Sequence, residues 1–351
     1  MQKLPEIKLD HLFNLTDSTG IFQHARYTIP DRNHGYCLDD NVRALLVLAL
    51  YKKYSSTNSK IESLIQIYLS FIDHAYNPET ERYRNFMGYD RVWLEKAGSE
   101  DSRGRTVWAI CTLISDDNFL SYHSYLKKLL NQSLKRELNA PHAIAFGLLG
   151  LSRLAEKKPD YLLSIHEIIQ NESEKLWEYF RKRDHLDWLW YDKIITYDSS
   201  RFPQAIISAG YVLANPSLIK EGLKILDWLI FHQFEKGVYH PIGNENWMTP
   251  EEKSEFDQQP LEAAAMVDAC LKAWKITQDP VYFRCAGQAF DWFTGKNVLE
   301  VPVFDPVTGG CRDGLNPNGV NENQGAESTL AWLSSLLQMK LNQVYCLEKT
   351  L

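Results

Sequence analysis

The chain has 351 residues, 44% of them apolar and 24% charged, with 18 Gly and 14 Pro. That composition excludes a disordered, collagen-like or coiled-coil chain. A net charge of −7 without any basic stripe argues against a nucleic-acid partner, whose phosphates would call for clustered Lys and Arg. No run approaches the roughly 18 apolar residues that a membrane span needs, and MQKLPEIKLDHLFN lacks the apolar core of a signal peptide, so a cytoplasmic location away from membranes is expected.

In chain order, KLDHLFNL is a short amphipathic helix, and LDDNVRALLVLAL follows as an almost wholly apolar one. The pattern then repeats. Amphipathic IESLIQIYLSFIDHAY, NFLSYHSYLKKLLNQSL, YLLSIHEIIQNESEKLWEYF, SLIKEGLKILDWLIFHQF and VYFRCAGQAFDWFTG alternate with apolar DSRGRTVWAICTLI, APHAIAFGLLGL, DSSRFPQAIISAGYVL, DQQPLEAAAMVDACLKAW and NQGAESTLAWLSSLLQM. The first set has apolar residues at spacings of three and four, the mark of a surface helix with one buried stripe; the second is apolar all round and crowded with Ala and Gly, the mark of a buried helix. Six outer–inner hairpins predict an all-α (α/α)6 toroid of about twelve helices, one domain over residues 1–351, with inner helices starting near Asp39, Ser102, Pro141, Arg201, Gln258 and Asn323.

The links have a polarity. Inner-to-outer links such as KKYSSTNSK and ISDDN are brief, whereas DSTGIFQHARYT, ETERYRNFMGYDRVW, HLDWLWYDKIITY, FEKGVYHPIGNENW and DPVTGGCRDGLNP are long and aromatic and lead into the inner helices. Long loops gathered on one rim are where binding and chemistry reside, and helix N-termini there favour carboxylates and hydrogen-bonding ligands.

The six-hairpin order, with HARYTIPDRNHGYCLDDNVRALL, resembles the six-hairpin glycosidase-like superfamily of (α/α)6 barrels. The D-D-N-x-R-A-L run from Asp39 to Leu45 also resembles an uncharacterised bacterial domain that can be fused to glycosyltransferases. The resemblance implies a carbohydrate-directed pocket at the inner-helix N-termini, an oligosaccharide or glycoside as substrate, acidic residues as acid and base, and possible association with a glycosyltransferase.

Acids stand at most of these helix starts: Asp39 and Asp40, Glu100 and Asp101, Asp198, Asp257 and Glu262, Glu322 and Glu327. Any one of them could simply cap its helix. Together with Arg32, His34, Arg103, Arg105, His142, Arg201, Gln258, Gln259 and Asn323 they exceed what capping requires and predict a polar pocket, with Tyr36 and Trp247 among the aromatic residues that could wall it. Consecutive helical residues diverge by about 100°, so Asp39 and Asp40 cannot both face the axis. Glycosidic cleavage needs a carboxylic acid and a carboxylate, and Asp40 and Asp101 are the expected pair, tuned by Arg43, Arg103 or Arg105. Six cysteines without a C-x-x-C pair predict buried reduced thiols, and ten histidines without a ligand motif predict no catalytic metal; no cofactor motif is present. Two other functions remain open: a sugar epimerase or isomerase with histidine bases, for which His142, His24, His34 and His240 are available, and a non-catalytic glycan-binding partner of a glycosyltransferase.

Overall fold

The computed structural model describes residues 4–55, 59–182 and 187–350, with side chains as far as 343. Helices α1 (Asp10–Asn14), α3 (Ser59–Ala75), α5 (His123–Ser133), α7 (Pro159–Arg181), α9 (Pro216–Gln233) and α11 (Pro280–Asp291) form an outer layer. They alternate with inner helices α2 (Leu38–Tyr54), α4 (Glu100–Ile114), α6 (Pro141–Lys157), α8 (Arg201–Val212), α10 (Pro260–Thr277) and α12 (Ala326–Thr350). Each inner helix packs on the next, and α12 returns to α2, which closes an (α/α)6 toroid.

Burial separates the two layers as the sequence pattern predicts. Helix α10 buries every residue from Pro260 to Leu271, whereas α9 buries only Leu218, Gly222, Ile225, Leu226, Leu229 and Gln233, a single stripe. Starts are marked chemically: α6, α7, α9, α10 and α11 open on proline, whose fixed φ and missing N–H suit the first turn. Asn215 and Asp279 cap α9 and α11 by accepting from Leu218 N at 3.1 Å and Val281 N at 2.9 Å.

Three inner-helix starts differ from expectation. Helix α4 begins at Glu100 rather than Ser102, because Ser99 caps it by accepting from Ser102 N at 3.4 Å. Gln258 precedes α10, because its N–H and C=O pair with Leu315 across a bridge at 2.8 and 2.9 Å. Asn323 precedes α12, because the following Gln324 N–H is taken by the carbonyl of Tyr27 at 2.9 Å. The third outer segment is also divided: a 3-10 turn over Asp117–Tyr122 precedes α5, with Phe119 out of helical geometry at φ −115°.

The long links carry two-stranded antiparallel pairs, Ala25–Arg26 with Ile29–Pro30, Tyr36–Cys37 with Phe86–Met87, Tyr76–Asn77 with Arg82–Tyr83, Phe234–Glu235 with Val238–Tyr239, and Gly314–Asn316 with Gly319–Asn321. The opposite rim is made of short connections such as Lys158 and residues 213–215. Parts of two links, residues 56–58 and 183–186, and the side chain of Cys346 lie outside the described residues; Cys37, Cys111, Cys270, Cys285 and Cys311 are buried free thiols. No helix among the described residues is long and apolar enough to cross a membrane.

Candidate active site

Cys37 caps α2, and the first turn that follows sends its two acids to different partners, as a 100° step requires. Asp40 shares a face with Arg43, whose Nη1 donates to Asp40 Oδ1 at 3.2 Å. The other arm of the same guanidinium, Nη2, lies 2.7 Å from Oε2 of Glu327 on the first turn of α12. One fork thus clamps two carboxylates at the seam where the ring closes. Above them lies a cleft of about 330 Å³, whose walls include His24, Asp39, Asp40, Phe86, Asp313 and Glu327.

The acids of the cleft are electrostatically unequal. Burial pushes the Asp40 carboxyl up to about 7; Glu327 and Asp39 add to the rise while Arg43 opposes it. Asp313 is pushed up to about 6, again by burial first, with Glu327 and Asp257 contributing. Its Oδ1 accepts from Gly325 N at 2.7 Å, and the approach is close: a Cβ on Gly325 would lie 3.0 Å from that oxygen and 3.1 Å from the Gln23 carbonyl. Glu327 is the accessible member of the Arg43 pair, with its side chain 41% exposed against 7% for Asp40.

Beneath the cleft an alternating layer of charge crosses the ring. Arg105 of α4 reaches Asp39 Oδ2 at 3.5 Å and Asp198 Oδ2 at 3.3 Å, with its guanidinium 4.1 Å from the Phe146 ring centroid. Asp198 in turn meets Arg201 Nε at 3.4 Å, and Arg201 Nη1 meets Asp268 Oδ2 at 2.6 Å. Burial works to raise Asp198, but Arg201 and Arg105 outweigh it and hold the carboxyl below its ordinary value. Glu262 is pushed up to about 8 by burial and by neighbouring Asp198, whose N–H donates to Glu262 Oε1 at 2.7 Å. A chamber of about 80 Å³ lies among the inner helices and shares Arg43, Arg105, Asp198 and Arg201 as walls.

At the mouths of α4 and α6, the Tyr197 hydroxyl donates to Asp101 Oδ2. The Tyr197 ring stacks on His142 with centroids 4.2 Å apart, and His142 Nε2 lies 2.8 Å from the Tyr197 carbonyl. A carbonyl only accepts, so Nε2 carries the proton. Burial lowers the His142 pKa, which keeps the ring neutral.

The structure therefore brings Asp39, Asp40 and Glu327 to one cleft and places Asp198, Arg201 and Glu262 in the layer below it. Asp101 and His142 belong to the Tyr197 cluster and are not walls of that cleft. Other residues expected at the site have structural partners instead. Glu100 accepts from Asn139 N and Ala140 N at 2.8 and 2.7 Å, so it secures the start of α6. Arg103 donates to the Arg136 and Glu137 carbonyls and ties down the same link. Tyr36 is wholly buried with its hydroxyl on Asp17 Oδ2 at 2.7 Å, and Gln258 is buried with Oε1 receiving the Trp292 indole N–H at 2.9 Å. Asn323 Oδ1 takes the Tyr27 N–H at 3.0 Å. Arg32 and His34 stand exposed on the rim, Arg32 over the rings of Phe22 and Tyr89 and His34 edge-on to His24. Trp247 is half-buried in the link before α10. Sequence reasoning did not single out Asp313; its only signal was an acid beside glycine in the last rim loop, C-R-D-G.

No family model and no curated protein matches the sequence. Solved structures match its fold. A sugar epimerase from a ruminal bacterium superposes with a TM-score of 0.70 at 10% identity, covering 95% of each chain. Cellobiose 2-epimerase from Spirochaeta thermophila gives 0.66 at 12% identity over 95% of this chain and 93% of its own. A GH76 alpha-mannanase from Bacteroides thetaiotaomicron gives 0.62 at 9% identity, again over 95% and 93%. At these identities the likeness establishes the (α/α)6 barrel and nothing about the reaction.

Proposed function

We propose that the chain is a carbohydrate-processing enzyme, and specifically a glycoside hydrolase that works through the carboxyl groups of the cleft. The observation that carries this reading is the Arg43 fork, which holds a proton-bearing acid, Asp40, and an exposed carboxylate, Glu327, side by side at the mouth of the barrel. Hydrolysis needs that combination. Asp40, poised near neutrality, gives its proton to the departing glycosidic oxygen. Glu327 either takes a proton from the water that attacks the anomeric carbon or attacks that carbon itself. In this reading Glu327 replaces Asp101 as the second carboxyl group, because Asp101 is engaged by Tyr197. The folds matched include a mannanase, which is consistent with cleavage.

A sugar epimerase is the second reading, favoured by the epimerases among the matched folds. Proton removal and return next to a carbonyl calls for bases placed about the sugar, and His24 is the histidine in the cleft wall, with the His34 ring 4.6 Å behind it. Incubation with a panel of glycosides and reducing oligosaccharides, followed by product analysis and anomeric NMR, separates the readings. Released sugar supports the hydrolase, a C2 epimer or ketose overturns it in favour of the second reading, and binding without turnover points to a glycan-binding module, with a glycosyltransferase as the partner to seek.

A further inference from the structure

The Asp40 carboxyl is held from two sides, and only one of them is an arginine. Arg43 Nη1 sits on Oδ1 at 3.2 Å, and the thiol of Cys37 donates to Oδ2 at 3.0 Å. The same sulfur accepts the Asp40 backbone N–H at 3.4 Å, so it is both the cap of α2 and a clamp on the carboxyl group. Its position is fixed twice over. Cys37 pairs with Phe86 in the short sheet between the first two rim loops, and its carbonyl accepts from Asn41 Nδ2 at 2.7 Å one turn into the helix. It is buried and forms part of the cleft wall beside Asp40.

We infer that Cys37 is a positioning residue of the site, whose S–H fixes the rotation of the Asp40 carboxyl and sets the pH range over which that carboxyl keeps its proton. A donor to a carboxylate favours the charged form, so the thiol and Arg43 work in the same direction, against burial and against the negative neighbours. The charged and titratable groups facing Asp40 are Arg43 and Asp39 from α2, Glu327 from α12, His24 from the first rim loop and Asp313 from the last. Of the side-chain donors to the Asp40 carboxyl among the described residues, Arg43 and the Cys37 thiol, the thiol can be removed without deleting a charge. It keeps its proton, because burial and the nearby Asp40 and Asp39 raise its own pKa well above that of a free cysteine. The inference rests on Asp40 as the acid of the proposed reaction for its functional meaning, but its test does not.

The test is a titration of the Asp40 carboxyl carbon by NMR in the full chain, labelled with 13C-aspartate and free of substrate, with Asp40→Asn identifying the resonance. Cys37→Ala should move the Asp40 midpoint upward by roughly half a unit to one unit, the scale of one lost hydrogen bond. Cys37→Ser, with a stronger hydroxyl donor and a better helix cap, should move it below the wild-type value. An Asp40 midpoint that is the same in wild type and Cys37→Ala, or a serine variant that titrates at or above wild type, overturns the inference. If the alanine variant does not fold, the serine variant against wild type still decides, because the expected order is serine below cysteine. Full glycosidase activity in Asp40→Asn would end the functional reading and leave the titration result standing.

Discussion

Burial raises the carboxyl groups of both Asp40 and Glu262, yet Asp40 lines the cleft and Glu262 does not, and the two make different predictions. If Asp40 is the acid, Asp40→Asn should lower kcat by more than about a hundredfold, the lower scale of lost acid catalysis, with a small change in stability. Because the acid must hold its proton and Asp40 sits near 7, kcat/KM should fall as pH rises through that value. A flat profile from pH 6 to 9 would remove Asp40 from the role. Glu262 works on stability. Its folded pKa of about 8 stands above the reference 4.5, so the stability it adds is fully present below about 4.5 and is lost as pH rises through about 8. In Glu262→Gln that loss disappears. Thermal melts at pH 5 and pH 9 should therefore show a smaller drop in the variant than in wild type, by a few degrees in Tm. These acids were visible in the sequence as residue types at helix starts, but their roles were not. Glu100 and Asp101 are adjacent in a similar setting to Asp39 and Asp40, and only packing reveals that Glu100 holds the α6 start and that Asp101 is held by Tyr197.

At the scale of the element, α4 and α6 approach until their backbones touch. A Cβ on Gly104 would lie 2.4 Å from the Ala143 carbonyl oxygen, and one on Gly150 would lie 2.5 Å from Trp108 Cα and 2.8 Å from the Val107 carbonyl. Backbone atoms cannot swing aside as side chains can. Gly104→Ala and Gly150→Ala should each destabilise the fold by about 1–3 kcal/mol or more, despite the better helix propensity of alanine. Denaturant midpoints at or above wild type would show that the helices can separate freely. The glycines that crowd the inner segments were legible as a sign of close packing, and the alternation of stripe and all-round burial gave helix type correctly. What escaped the sequence were the non-local corrections: the Gln258–Leu315 bridge and the Tyr27–Gln324 bond delay α10 and α12, and both join residues far apart along the chain.

At the scale of the molecule, the contrast between short and long links revealed in advance which rim would carry the loops, while the position of the cleft on that rim depended on closure. Glu327 and Arg43 lie 284 residues apart in sequence, yet they complete one site only because α12 packs against α2. That closure has a thermodynamic consequence. A linear array of helical hairpins has ends that fray and can lose repeats one by one, but in a ring each hairpin shares its apolar faces with two neighbours and no end is free. The buried core runs through all six hairpins, from Leu12 and Leu45 through Ile110, Ile144, Phe202 and Val267 to Trp332. We therefore expect residues 1–351 to unfold in one cooperative step, with tryptophan fluorescence and far-UV circular dichroism tracing the same urea transition. Leu45→Ala, which removes a fully buried side chain of α2, should lower stability by about 2–5 kcal/mol and shift both probes together. Two separated transitions, or a Leu45→Ala effect confined to one probe, would show that the ring is two independently folding units and that the seam holding Arg43 against Glu327 can open while the rest of the barrel persists.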